Sequence, residues 1–208
     1  MATIVGAFGF SANPPHIGHQ AIIQAIVSGR LVDVLHVIPC GGRADKPQLA
    51  SAEARIAMTR ALCASIVGNP HVKLVVDEQD AHKPDFTKTI DLLGRLGEQY
   101  PDSTIEPIIG LDLLQVRAPF EGKCEISATW RLGRTLLDVW PFLVFRRGGV
   151  EGPIESPRHW RMIDGHVPQV SSSDIRRLVH DGEPYEHLTG PAVAAIIKER
   201  GLYLEPSP

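Results

Sequence analysis

An apolar segment followed, within the next nine residues, by two prolines and two histidines is the feature that most constrains the fold of this chain. Residues 4–10, IVGAFGF, predict a first strand. Pro14 and Pro15 end that strand, because proline has no N–H to donate to a neighbouring strand. From His16 onward, apolar residues recur at three- and four-residue intervals, as they do along one face of a helix. The segment therefore predicts a strand, a turn and a helix, with His16 at the helix start.

The spacing of the two histidines favours the binding of an anion. His16 and His19 lie one helical turn apart, on the same side of the predicted helix. The first turn of a helix has unpaired backbone N–H groups and the positive end of the dipole, so phosphate is favoured there. Gly18 has no side chain, which lets a phosphate or a base approach closely. The alternative is that both rings are surface or capping residues.

A second segment with phosphate-binding character is residues 171–176, SSSDIR. Three small hydroxyl residues before an apolar run can cap the N-terminus of a helix. Arg176 follows one turn later, and its planar guanidinium can donate two parallel hydrogen bonds to a phosphate. Serine-rich helix starts are common, so this segment alone is only a weak indication of phosphate binding. Together with the histidine segment that precedes it in the chain, it is a strong one.

Both segments resemble signatures of the nucleotidyltransferase superfamily. Residues 8–19, FGFSANPPHIGH, resemble FGGTFDPxHxGH, with departures at Phe10, usually glycine, and at Ala12, usually phenylalanine. Residues 170–176, VSSSDIR, resemble ISSTxIR. The resemblance implies that His16, His19 and Arg176 are catalytic. It also implies a set of ATP-binding residues drawn from both signatures and from a GxD element at residues 110–112: Phe8, Gly9, Ser11, His16, Gly18, His19, Gly110, Asp112, Ser171, Ser172, Ser173 and Arg176.

The residues between the signatures resemble the pyridine mononucleotide adenylyltransferases in particular. The similar segments are IIGLD at 108–112, TIDLL at 89–93 with DFT at 85–87 as an alternative register, FLVFRRGG at 142–149, and the closing helix within 188–203. The family usually has a PPHK element where this chain has GGRADKP at 41–47, so Lys46 is expected to supply the same charge. The mononucleotide-binding residues implied are Lys46, Thr87, Thr89, Trp130 and Arg147. The alternatives are a helix cap for Asp112, a core position for Trp130 and a solvated loop around Lys46.

Short apolar segments alternate with helical ones along the chain. Residues 32–39, 71–76, 104–109 and 141–145 predict strands, 51–66 and 89–100 predict helices, and 119–124 and 148–157 predict loops. This order predicts an α/β fold, a Rossmann-like doubly wound parallel sheet with helices on both faces. We expect one domain over residues 1–208, with a C-terminal helical part at 171–208 that carries SSSDIR.

Composition argues against several other classes of protein. With 43% hydrophobic residues, a formal charge of −3 and no basic stripe, the 208-residue chain is not expected to bind nucleic acid. No apolar run approaches the roughly 20 residues of a membrane helix, and no leader is evident, so we expect a cytoplasmic protein without a membrane partner. Cys40, Cys63 and Cys124 are too widely spaced for a zinc site, and we expect no protein-held metal.

The expected reaction joins nicotinate mononucleotide, or nicotinamide mononucleotide, to ATP by direct in-line displacement and releases pyrophosphate. Mg²⁺ is expected to be held by the substrate. Whether the chain assembles into a homo-oligomer stays open. The alternatives are a pantetheine-phosphate adenylyltransferase, a cytidylyltransferase, or a non-catalytic nucleotide sensor. A class I aminoacyl-tRNA synthetase also contains HIGH, but it needs a lysine-rich loop and several hundred more residues.

Overall fold

A computed structural model describes residues 2–46, 48–146, 150–163 and 165–204. Its strands are β1 (Ile4–Phe10), β2 (Val34–Pro39), β3 (Lys73–Val76), β4 (Thr104–Gly110), β5 (Pro141–Phe145) and β6 (His159–Ile163). Its helices are α1 (Ile17–Ser28), α2 (Ala52–Ala64), α3 (Thr89–Gln99), α4 (Glu125–Thr129), α5 (Gly133–Val139), α6 (Ser172–His180), α7 (Glu186–Thr189) and α8 (Pro191–Glu199). A 3₁₀ helix, Leu111–Leu114, follows β4 directly.

All six strands are parallel and form one sheet in the order β3-β2-β1-β4-β5-β6. The chain first builds outward from β1 through β2 and β3, then returns to the other side of β1 with β4. The switch point of this doubly wound sheet is therefore between β1 and β4, where loops that leave in opposite directions open a crevice. The predicted fold class is confirmed.

Two apolar cores cover the two faces of the sheet. On one face, Phe8 of β1 packs with apolar residues of α1, α2, α6 and α8. On the other, Val5 and Ala7 of the same strand pack with α3, α4 and α5. This division follows from the alternation of side chains along a strand. Cys63 and Cys124 are buried, one in each core, and act as small apolar residues there.

The regions that sequence patterns did not predict are the short helices α4 and α5 and the strand β6. The helices have five and seven residues, which is too short for a helical repeat to be recognised. The sequence of β6, HWRMI, carries two polar residues because the strand lies at the sheet edge and has its first residues exposed. For the other predicted strands, and for the predicted helices 51–66 and 89–100, predicted and observed boundaries differ by at most two residues. Among the described helices, none is long and apolar enough to span a membrane.

A polar network is buried between β2, β3 and α3. The His36 ring lies 3.1 Å from a carboxylate oxygen of Asp77 and 2.9 Å from the hydroxyl of Tyr100. Arg95 donates to the same carboxylate over 2.7 Å. Burial alone would raise the pKa of Asp77, but hydrogen bonds from His36 and Arg95 outweigh it and hold that pKa well below its usual range. The carboxylate therefore stays charged inside the protein because its partners compensate for lost water.

We expect Asp77→Asn to lower the free energy of unfolding by about 2 kcal/mol at pH 7, because it removes the charged partner of a half-buried arginine and a buried histidine. The folded-state pKa of Asp77 is below its unfolded value, so the carboxylate stabilises the fold fully above about pH 4 and progressively less below it. Urea unfolding of both proteins should show the difference shrinking as the pH falls from 4 toward 2.

Asp91→Asn is the matched control. Asp91 forms an exposed ion pair with Arg131, so its loss should change the free energy of unfolding by less than about 1 kcal/mol. If the difference in unfolding free energy between Asp77→Asn and the unmodified protein were the same at pH 7 and pH 3, the lowered pKa of Asp77 would not contribute to stability as we expect.

Candidate active site

The two histidines form a reciprocal cap at the start of α1. Nδ1 of His16 accepts a hydrogen bond from the Gly18 amide over 3.1 Å, and Nδ1 of His19 accepts one from the His16 amide over 3.3 Å. Because each Nδ1 accepts from a backbone N–H, the proton of the neutral ring lies on Nε2. The ring centroids are 3.8 Å apart. The cap therefore fixes two neighbouring rings at the start of α1, with the Nε2–H of each ring on the side away from the cap.

Gly18 packs behind the His16 ring instead of on the wall of the cleft. A Cβ at this position would lie 3.0 Å from the His16 ring and 3.0 Å from the carbonyl oxygen of Pro168. Tight packing therefore favours glycine at this position, a reason different from the ligand approach that the sequence suggested. ATP binding by Gly18 itself stays a prediction.

Gly18→Ala is expected to push the His16 ring out of place. We expect a loss of about 1 to 2 kcal/mol in unfolding free energy from overpacking and a fall of about tenfold in turnover from misplacement of the ring. Both are measured by thermal unfolding and steady-state kinetics. Gly94→Ala is the control, since a Cβ there contacts no described atom outside its own helix within 4 Å and should stabilise α3 by up to about 1 kcal/mol. Unchanged kinetics in Gly18→Ala would contradict the packing argument.

The departures from the family signature at positions 10 and 12 fit the local structure. The Phe10 ring stacks on the His19 ring with centroids 4.4 Å apart, and it also stacks on Phe8. Ala12 turns the chain with a φ of 53°, and its methyl group is buried. An aromatic ring at position 10 thus supports His19, and the small side chain at position 12 is buried at the turn.

The second signature contacts the first directly. Ser171 caps α6 by accepting from the Ser173 amide, and the Ser172 hydroxyl donates to the Pro14 carbonyl over 2.9 Å. Arg176 donates through one Nη to the Asn13 carbonyl over 2.9 Å and through the other to the Ser173 hydroxyl over 3.1 Å. The start of α6 and the start of α1 therefore lie side by side, with the guanidinium of Arg176 between them.

The loop after β2 closes one side of the same space. The Lys46 ammonium donates to the Ser11 hydroxyl over 2.9 Å, and burial lowers its pKa. Gly42 exchanges two backbone hydrogen bonds with the segment after β3, one with the Lys83 carbonyl and one with the Phe86 amide. A side chain at Gly42 would overlap the Pro84 carbonyl, so only glycine allows this close approach.

Arg55 of α2 holds three of these loops together and was not predicted as a site residue. It is 3% exposed, and its guanidinium donates to the backbone carbonyls of four residues in the loops after β1, β2 and β3: Ser11, Cys40, Ala50 and Ala81. The one sequence feature that could have indicated this role is the charge of Arg55 within a largely apolar segment, residues 51–66, that predicts a helix.

The side of the cleft beyond β3 contains the predicted mononucleotide residues. Thr87 donates its hydroxyl to the buried Asp80, whose carboxylate also accepts from the Thr87 amide over 3.2 Å. Thr89 is the first residue of α3, and Trp130 directly follows α4. Phe86, which sequence patterns missed, lies between two cations, with Arg43 4.9 Å and Lys88 3.9 Å from its ring centroid. Arg147 lies outside the described residues.

These elements surround one cleft of about 1150 Å³ at the switch point of the sheet. Of the described residues predicted for substrate binding, all except Gly18 line it: Phe8, Gly9, Ser11, His16, His19, Lys46, Thr87, Thr89, Gly110, Asp112, Trp130, Ser171, Ser172, Ser173 and Arg176. Cys40 lines it as well. The cleft exceeds the roughly 300 to 1000 Å³ typical of small-molecule pockets, so it has room for two nucleotides.

The cleft lies at the switch point of a doubly wound sheet and is lined by two capped helix starts, two histidines and an arginine. This arrangement is typical of α/β proteins that bind the phosphates of nucleotides. No family model matches the chain. Over 210 residues it is 30% identical to a "Probable nicotinate-nucleotide adenylyltransferase" of Prosthecochloris aestuarii, with 96% of this chain and 98% of the relative covered. A protein of the same name from Salinibacter ruber is 28% identical, with 96% and 97% covered.

Solved structures agree in fold. The nicotinic acid mononucleotide adenylyltransferase of Plasmodium falciparum, complexed with NaAD, superposes with a TM-score of 0.76 at 21% identity, covering 98% of this chain and 100% of that one. The chain belongs to the nicotinate-nucleotide adenylyltransferase family.

Proposed function

We propose that this protein transfers the adenylyl group of ATP to nicotinate mononucleotide, forming the dinucleotide and pyrophosphate. The observation that carries the proposal is the contact between the start of α6 and the turn that leads into α1, made beside one cleft by Ser172 with the Pro14 carbonyl and by Arg176 with the Asn13 carbonyl. Two helix starts and a guanidinium converge there, and this convergence suits the triphosphate of ATP. The names of the relatives over nearly the full chain support the same reaction.

The reaction needs positioning and charge stabilisation, but no covalent nucleophile. A phosphate oxygen of the mononucleotide attacks the α-phosphorus of ATP, and the bond from that phosphorus to the bridging oxygen breaks as pyrophosphate leaves. Nε2–H of His16 and of His19 and the guanidinium of Arg176 would donate to phosphate oxygens as negative charge moves to the leaving group. Ser11, the N-cap Ser171, and the two serines of α6 would add hydrogen bonds.

The nucleotide of ATP would lie against the segment after β4. Gly110 and Asp112 line the cleft at that position, and Asp112 is in the 3₁₀ helix that follows the strand. ATP is proposed to react as its magnesium complex, with the ion held by phosphate oxygens and water. Within the described part of the chain, no group of three or more His, Cys, Asp or Glu side chains is arranged to hold a metal ion.

The mononucleotide would occupy the side of the cleft formed by Lys46, Thr87, Thr89 and Trp130. Lys46 suits the phosphate, and Trp130 offers an aromatic face to the pyridine ring. Lys88, whose ammonium lies over the Phe86 ring, adds positive charge to this side, whereas the Arg43 guanidinium on the same ring is paired with the Asp45 carboxylate. Positive charge favours the carboxylate of the nicotinate ring over the neutral amide of nicotinamide.

A comparison of acceptors tests the proposal. Pyrophosphate release is measured with ATP and magnesium in the presence of nicotinate mononucleotide, nicotinamide mononucleotide or phosphopantetheine. We expect kcat/KM to be highest for nicotinate mononucleotide, with at least about a tenfold advantage over nicotinamide mononucleotide. A preference for phosphopantetheine would overturn the assignment of the acceptor.

A further inference from the structure

The side chain of Asn13 joins two segments that are far apart in the sequence. It is 3% exposed. Its amide nitrogen donates to the Gln48 carbonyl over 3.1 Å, and its Oδ1 accepts from the Ala50 amide and from the Tyr203 hydroxyl, both over 2.9 Å. Its backbone carbonyl accepts the hydrogen bond from Arg176. The orientation of Asn13 therefore depends on residues 48–50 and on Tyr203, and its backbone in turn receives Arg176.

Tyr203 is held in a conformation that tyrosine rarely adopts. Its φ is 65°, in the left-handed region, and its ring packs against the core formed with α1, α2, α6 and α8. Such backbone conformations persist when the surrounding structure enforces them. Burial raises the pKa of the Tyr203 hydroxyl well above its usual range, in spite of Arg176 and Arg55 nearby, so the group stays protonated and donates to Oδ1.

We propose that Tyr203 is a positioning residue for adenylyl transfer: its hydroxyl fixes Asn13 and, through the Asn13 carbonyl, the placement of Arg176. This inference rests on the proposed function, because its effect on turnover exists only if the cleft transfers adenylyl groups. Tyr203 does not line the cleft, so its contribution is made through Asn13 and without contact with substrate.

Tyr203→Phe removes the hydroxyl and keeps the ring in the core. We expect kcat/KM for ATP to fall about tenfold, the effect of losing one well-placed hydrogen bond. Tyr185→Phe is the matched control, since Tyr185 packs against the same core and lies away from the cleft. The control should keep kcat/KM within about twofold of the unmodified protein. Equal kinetics for the two variants would overturn the proposal.

A double-mutant cycle tests whether Tyr203 acts through Asn13. In the background of Asn13→Ala, Tyr203→Phe should cause less than about a twofold further loss of kcat/KM, because the bond is already absent. Fully additive losses would show that Tyr203 acts by another route and would overturn the proposal.

Hydrogen exchange gives a readout that needs no turnover. The Ala50 amide, which donates to Asn13, should exchange about tenfold faster in Tyr203→Phe and unchanged in Tyr185→Phe. If the unmodified protein releases no pyrophosphate, the proposed function is wrong. The exchange rate of the Ala50 amide still tests whether Tyr203 fixes Asn13, because that measurement does not depend on turnover. Unchanged exchange at Ala50 in Tyr203→Phe would overturn the positioning role even in an active enzyme.

Discussion

His19→Ala is expected to lower kcat by about a hundredfold or more, the cost of losing one donor that acts mainly on the transition state. Nδ1 of His19 accepts from the His16 amide, so Nε2–H is the group of this ring that would donate to a phosphate. The Phe10 ring and the His16 ring hold that donor in place on the enzyme before substrate binds. Steady-state kinetics with ATP and nicotinate mononucleotide measure the loss.

Two further substitutions separate the capping role of His19 from its donor role. His19→Asn keeps an acceptor near the position of Nδ1 and loses the donor at the position of Nε2. It should fold like the unmodified protein and have the low turnover of His19→Ala. His19→Gln places an amide N–H near the position of Nε2 and should retain more activity than His19→Asn. His71→Ala, at an exposed histidine, is the control for loss of an imidazole.

Turnover of His19→Asn close to that of the unmodified protein would show that the ring matters only as a helix cap. Thermal unfolding of each variant distinguishes loss of the donor from loss of the fold, since a capping defect would lower the melting temperature as well.

Arg176→Ala is the second large effect that we expect, with kcat reduced about a hundredfold or more. The guanidinium bridges the Asn13 carbonyl and the Ser173 hydroxyl, so its plane is fixed by the two helix starts that it joins. Arg176→Lys keeps the charge but lacks the planar pair of donors, and it should recover only a small part of the lost rate. The same kinetic assay measures both variants.

Arg177→Ala is the matched control on the same helix. Arg177 is exposed and pairs with Asp181 one turn later. Its loss should leave kcat within about twofold and change stability by less than about 1 kcal/mol. Full recovery of turnover in Arg176→Lys would contradict the requirement for a planar pair of donors and would reduce the role of Arg176 to charge alone.

Much of the fold and most of the cleft were predictable from the sequence because their signals are local. The apolar run at 4–10 and the prolines after it define β1 and its end, and the two signatures mark helix starts that attract anions. The histidine signature follows β1, and SSSDIR begins a helix that packs on the same face of the sheet. The two signatures therefore meet at the switch point. The bounds of β1 and β5 agree with the predicted ones.

What sequence patterns missed depends on contacts between distant segments. Arg55 looks like one charge in an ordinary helix until the carbonyls of three loops surround it. The tight space around Gly18 comes in part from the Pro168 carbonyl, which is distant in the sequence. The bond between Tyr203 and Asn13 likewise has no local signal, because no spacing rule connects positions 190 residues apart.

The most direct test of adenylyl transfer in this cleft is the initial rate of pyrophosphate release with ATP and magnesium, with and without nicotinate mononucleotide. We expect release only when both substrates are present, with the dinucleotide formed in equal amount. Release from ATP alone would point to hydrolysis or to a covalent adenylyl-enzyme, and ATP binding without release under either condition would point to a nucleotide sensor. Either result would contradict direct transfer between two substrates in this cleft.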